Sequence, residues 1–168
     1  MWQNDTKIWN ENQLTWDYVA DLVMKDPGYG LRKAYYDKLN GAVTLNAVAV
    51  PIYDNIPNKA IYPYIQISNI STTDASTKSS FNSNCIVTVQ IFTGTNGSTY
   101  SKYDTDTLGN SVMQLLLNRS SLPDGGTDFK VITNTLESIG YIENQYDGFY
   151  EVRKVIRIRN IVEQLEIE

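Results

Sequence analysis

Residues 50–67, VPIYDNIPNKAIYPYIQI, constrain the fold more than any other part of this chain. Proline has no backbone N–H to give to a sheet ladder, so Pro63 marks the start of a strand or an edge strand. The segment therefore reads as a strand over 48–53, a loop over 55–59, and a second strand entered through Tyr62-Pro63-Tyr64. In that second strand the period of two sends Ile65 and Ile67 to one face and Gln66 and Ser68 to the other.

The clearest strand is 85–92, CIVTVQIF, where Val87, Val89 and Ile91 alternate with Thr88, Gln90 and Phe92. Between these strands lies 68–84, SNISTTDASTKSSFNSN, almost wholly polar. Such a stretch buries too little apolar surface to order itself, so it reads as a long hairpin tip: either an arm that orders on a neighbouring subunit, with Thr73 and Phe81 as candidate contacts, or a floppy solvated loop. The Gly-Ser segment 94–99 breaks strand 85–92, and it lacks the lysine of a phosphate-binding loop.

Three helices are expected. Trp2, Trp9 and Trp16 fall seven apart and drift by only about 20° per heptad on a helix. With Leu14, Tyr18, Val19, Leu22 and Val23 they predict a helix over 12–25, stopped by Asp26-Pro27-Gly28. Tryptophan is enriched at binding hot spots, so this segment is either a docking arm for a neighbouring subunit or a cover for its own domain. Leu31, Ala34, Tyr35 and Leu39 give a second helix over 29–40, closed by Asn40-Gly41. The third spans 101–118, with Tyr103, Leu108, Val112, Leu115 and Leu116 as its core face, Ser101 and Asp104 as a capping box, and Gly109 marking a close contact.

Two strands, 129–142 and 149–162, close the chain, joined by 143–148 with an Asp-Gly hairpin signal. Arg153, Arg157 and Arg159 share one face of the last strand. They read as an ion-paired contact with a neighbouring subunit or as a solvated face paired with carboxylates on adjacent strands. Residues 163–168 read as an exposed acidic tail. The expected architecture is α+β: an antiparallel or mixed β-sheet flanked by helices on one side, with an N-terminal helical extension over 1–27 and the main domain over 28–168.

Chemistry is hard to place on this chain. It has no histidine and one cysteine, Cys85, so neither an intrachain disulfide nor a Cys-His pair is available. Cys85 reads as a small buried hydrophobe. No catalytic residue, cofactor site or metal site is expected. Asp104/Asp106 and Glu137/Glu143 are the carboxylate pairs a hydrolase would need, but they read as helix-start and strand-surface charges. The net charge of −5 argues against a protein that grips nucleic acid by neutralising phosphates. It suits a channel wall past which DNA slides, and equally suits simple solubility. No basic start and apolar run open the chain, and no stretch reaches the roughly 20 apolar residues of a membrane helix. The expectation is a protein made in a cytoplasm or built into a particle there, with no membrane partner.

The helix LRKAYYDKL, VPIYDNIP, YPYIQI, CIVTVQIF, the helix after Tyr103 and the terminal strands together resemble the tail terminator / tail completion family of tailed bacteriophages, over roughly residues 29–162. The resemblance implies a small α+β subunit of a closed six- or twelve-fold ring at the head–tail junction of a virion. Its partners would be copies of itself, the portal or connector, and the tail or an adjacent ring, with DNA only passing through. The Trp-bearing extension departs from the compact family pattern and fits a neck ring of a short-tailed, crAss-like phage equally well. Trp2, Trp9, Trp16, Thr73, Phe81, Arg153, Arg157 and Arg159 are the candidate inter-subunit contacts. The competing reading is a carbohydrate- or peptide-binding module of a phage or bacterial surface structure, using exposed tryptophan and tyrosine.

Overall fold

A computed structural model describes residues 23–96 and 102–165. Trp2, Trp9, Trp16 and Ser101, most of the helix expected over 12–25, and the end of the acidic tail lie outside the described residues.

Helix α1, Gly28–Leu39, opens one residue earlier than expected. Pro27 sits at its N-cap, where a missing N–H is harmless, and Asp26 Oδ1 accepts from Gly28 N at 2.9 Å. Asp26-Pro27-Gly28 thus begins this helix. Residues 23–27 are not helical. Gln164 holds them instead, accepting from Lys25 N at 2.7 Å and donating to Val23 O at 3.0 Å. Leu31, Ala34, Tyr35 and Leu39 are buried as the periodicity requires, and Gly41 beyond the helix takes φ +74°.

The strand expected over 48–53 is two pieces. Val48–Ala49 (β2) pairs with Thr44–Leu45 (β1) in a small hairpin whose turn residues Asn46 and Ala47 have positive φ. This hairpin has no alternating apolar pattern to announce it. Ile52–Tyr53 (β3) runs parallel to β4, Tyr64–Asp74, which follows a cis Tyr62–Pro63 peptide.

β4 pairs antiparallel with β5, Asn82–Asn96. The polar run is therefore mostly strand: Ile70 to Asp74 pair with Val87 to Ser83, and the ladder shifts register between Ile67 and Ile70. Only residues 75–81 form the tip. The ordering comes from β7, Phe149–Gln164, which pairs with β5 along its whole length, from Asn82↔Glu163 to Asn96↔Phe149. Nor does Gly94 break β5. A Cβ there would lie 2.4 Å from Phe149 Cζ and 3.1 Å from Tyr62 Cγ, so glycine lets two aromatic rings close on the strand.

Helix α2, Tyr103–Leu116, has Lys102 as N-cap with no side-chain cap bond, and the expected capping box, which needs Ser101, lies outside the described residues. Leu108, Val112 and Leu116 are buried, but Tyr103 is 73% exposed, while Thr105 of the same turn is the residue that faces the sheet, fully buried with its Oγ1 2.6 Å from Thr93 Oγ1. β6, Phe129–Tyr146, pairs with β7 through a turn at Asp147-Gly148, whose positive φ values fit the Asp-Gly signal.

The five-stranded mixed sheet runs β3-β4-β5-β7-β6, with both helices on one face. Cys85, Val87, Val89 and Ile91 of β5 meet Ile156 and Ile158 of β7 and the buried stripes of α1 and α2. Each such aliphatic side chain contributes about 1.5–3 kcal/mol by leaving water. Tyr35 Oη donates to Asn160 Oδ1 at 3.0 Å inside this layer. The architecture is α+β.

Candidate assembly interface

The residues with the least explanation inside one chain are on β6. It is the edge strand of the sheet, and of its residues only Val131 and Asn134 are buried. At about 3.3 Å per residue the strand is roughly 60 Å long, with its outer N–H and C=O groups offered along that length. Natural edges are usually short, charged or proline-bearing. This one carries Lys130, Glu137 and Glu143 and two register shifts, but also Ile132, Leu136, Ile139, Tyr141, Ile142 and Tyr146, each 40% exposed or more.

The register sorts these side chains. Leu136 lies opposite Ile158, Ile139 opposite Ile156, and Tyr141 opposite Lys154, so all three share the helix side of the sheet. All three are only partly covered there, at 40–44% exposure. Ile142 lies opposite Arg153 on the other face.

Polar contacts fix β6 against α2. Asn134 Nδ2 donates to the C-terminal carbonyl of α2 at Leu116. Tyr141 Oη donates to Asp106 Oδ1, and Lys154 Nζ donates to the same oxygen at 2.8 Å. The Lys154 side chain is 6% exposed and Asp106 47%. Lys154 also lies 5.2 Å from the centroid of the Tyr141 ring. Gly109 makes room for it: a Cβ there would be 2.8 Å from Lys154 Cδ, Cε and Nζ. Hydrogen bonds from Lys154 and Tyr141 hold the Asp106 carboxyl below its ordinary range. Burial pushes the Lys154 ammonium toward losing its proton, but the bonds to Asp106 and Tyr141 outweigh it, and the net shift is upward.

The helix-free face carries the arginine row. Arg159 binds both carboxylate oxygens of Glu137, through Nε at 2.8 Å and Nη2 at 2.9 Å. Arg153 lies 3.5 Å from Glu151 and stacks with its guanidinium carbon 4.5 Å from the centroid of Phe92. Arg157, between them, is exposed. Phe92 belongs to an aromatic group in which Tyr64 stacks on it at 4.7 Å, Tyr62 meets Tyr64 at 5.2 Å, and Phe149 meets Tyr62 at 5.4 Å. Thr73 is exposed near the end of β4, and half-buried Phe81 at the hairpin tip accepts from Gln164 N at 2.9 Å. The structure thus brings the three arginines together on one face and keeps Thr73 and Phe81 apart from them, on the hairpin.

The carboxylate pairs do not form an acid–base site. Asp106 is tied to Lys154, Glu143 to Lys102, and Glu137 to Arg159, which lowers the Glu137 pKa. A general acid needs the opposite shift. Burial raises the Cys85 thiol pKa, which disfavours the thiolate. Among the described residues no group of three or more histidine, cysteine, aspartate or glutamate side chains is placed to hold a metal, and no helix is long and apolar enough to cross a membrane. Sequence periodicity identified β6 as a strand but not the exposure of its apolar side chains; the signal for that was apolar residues at both odd and even positions.

No protein-family model matches this chain. No curated protein matches it either. Among solved structures it shares its fold with a chain of the virion of a native gene transfer agent (GTA) particle, at a TM-score of 0.63 and 15% identity, over 82% of this chain and 99% of that one.

Proposed function

We propose that this chain is a non-enzymatic structural subunit of a phage-like virion. Within it, the chain forms a closed ring at the head–tail junction, as a tail terminator, tail completion or neck protein. The observation that carries this reading is the 18-residue edge strand β6, which among the described residues has no strand on its outer side and leaves Ile132, Leu136, Ile139 and Ile142 exposed. The fold shared with a chain of a gene transfer agent virion supports it, as does the resemblance of the Val50–Ile67 region to tail terminators. The ring joins portal or connector to tail and leaves an opening through which DNA passes without sequence-specific contacts. It is built into the virion during assembly in the host cytoplasm. Residues 1–27 serve as an arm on the domain formed by 28–168.

Light scattering on the purified protein, followed by negative-stain imaging, tests the proposal. Closed rings of six or twelve copies with a central opening are expected, either alone or on addition of the portal. A chain that stays monomeric at high concentration and fails to join purified connector or tail parts refutes it.

A further inference from the structure

The sheet has a second free edge. β3 covers β4 only at Ile65 and Gln66, and Gln66 Nε2 reaches Asp54 O at 3.3 Å beside it. From Ile67 to Asp74, β4 has β5 on one side and no strand on the other among the described residues. Beside this edge, on the helix side, lies a groove of about 730 Å³ whose lining includes Met24, Tyr29, Arg32, Ile70 and Thr72. A second hollow of about 360 Å³, bordered by Tyr29, Tyr36 and Ile67, adjoins it. Tyr29 is 80% exposed, and Met24 and Tyr36 are also exposed. Arg32 is neutralised by Asp54 at 3.3 Å.

We infer that β6 of one copy adds antiparallel to the free edge of β4 in a second copy and seats Leu136, Ile139 and Tyr141 in the groove beside that edge. The inference rests on the ring reading above and names its contact. Strand direction supports it. β4, β5, β7 and β6 alternate strictly, so β6 runs opposite to β4. A neighbouring copy in the same orientation places its β6 antiparallel to β4 with both helix layers on one side. The apolar side chains of β6 and the groove of β4 then fall on that same side. Neither Ile67–Thr73 of β4 nor 138–142 of β6 carries a charged residue, and the charged residues of the groove, Lys25, Asp26 and Arg32, are of both signs. A two-fold β6-to-β6 contact would cover one edge and leave the other edge and its groove open. The head-to-tail contact covers both and is the kind that closes rings.

Two variants and their mixture test this. Ile139→Lys disables the β6 side, and Tyr29→Lys with Thr72→Lys disables the groove side; all three residues are exposed, and circular dichroism checks that each variant folds. Under light scattering, each variant alone is expected to be monomeric where the wild type forms rings. An equimolar mixture is expected to give a dimer of one copy of each and nothing larger, because one intact β6 meets one intact groove. Rings formed by either variant alone, or a mixture that stays monomeric, overturn the edge pairing while the ring reading stands. A wild type that forms no assembly under any condition overturns both.

Discussion

The Asp106–Lys154 pair makes an asymmetric prediction. Lys154 is almost completely enclosed, at 6% exposure, while Asp106 is half in water at 47%. Breaking a buried ion pair by removing one partner typically costs about 3–5 kcal/mol, because the other charge is left desolvated, whereas an apolar replacement of similar shape is nearly neutral. Here the two removals differ in what they strand. Asp106→Ala leaves the ammonium under α2 with only Tyr141 beside it. Water on the Asp106 side relieves part of that cost, so we expect about 2–4 kcal/mol of destabilisation. Losing a carboxylate from the first turn of α2 costs up to about 1 kcal/mol, and alanine's helix propensity returns a similar amount. Lys154→Met leaves a half-exposed carboxylate that still accepts from Tyr141 Oη and keeps the apolar stem against Gly109, so its cost should be under about 1 kcal/mol. Urea unfolding followed by circular dichroism measures both. At about 2–4 °C per kcal/mol for a chain of this size, the alanine variant should melt roughly 4–16 °C lower than wild type. The double variant should resemble Lys154→Met alone. If Lys154→Met costs as much as Asp106→Ala or more, burial of the ammonium does not set the energetics of this pair.

Gly94→Ala puts a methyl 2.4 Å from Phe149 Cζ and 3.1 Å from Tyr62 Cγ; overpacking of this kind costs about 1–3 kcal/mol. A lowered urea midpoint with an unchanged slope is expected, and a midpoint equal to wild type would show that the aromatic group yields freely. Stability should also fall in acid. The pKa values of Asp106 and Glu137 are lowered in the folded chain. Their contribution is therefore complete above the ordinary carboxylate range near pH 4 and is lost as pH falls through their folded values. Unfolding free energy measured from about pH 6 to pH 2 should drop less steeply in Asp106→Ala than in wild type, and identical slopes would contradict the assignment.

How much of this was legible in the sequence depended on whether neighbours or local pattern ordered each element. α1 was readable because Leu31, Ala34, Tyr35 and Leu39 fall on one helical stripe that packs on the sheet. β7 was readable because alternation sends Ile156, Ile158 and Val162 inward and Arg153, Arg157 and Arg159 outward. The distal half of β4 and residues 82–84 of β5 were not. Ser, Thr and Asn there supply almost no apolar face, and the strands exist because β7 offers a full ladder to β5. Gly94 reads locally as a break, yet it is the residue that admits Phe149. Tyr103 looks apolar enough for the core face, but in the first turn it is the polar Thr105 that is buried, bonded to Thr93.

β6 was harder for a related reason. Alternation appears in a strand when one face is wet and the other dry, and β6 has apolar residues at Leu136, Ile139, Tyr141 and Ile142 with water on both sides. Its sequence looks inconsistent only when judged against a single subunit. On the edge pairing proposed above, a second chain would change the environment of this strand: outer N–H and C=O groups would gain partners, and the helix-side apolar row would gain a floor. The pattern then makes sense as the sequence of a strand inside a sheet that spans two subunits. The polar contacts of Asn134 with α2 and of Tyr141 with Asp106 hold β6 in shape before that partner arrives. A pre-shaped edge loses little conformational freedom on pairing, which favours association. On that pairing, Asp106→Ala is expected to weaken assembly as well as stability, since loosening Tyr141 loosens the row it belongs to.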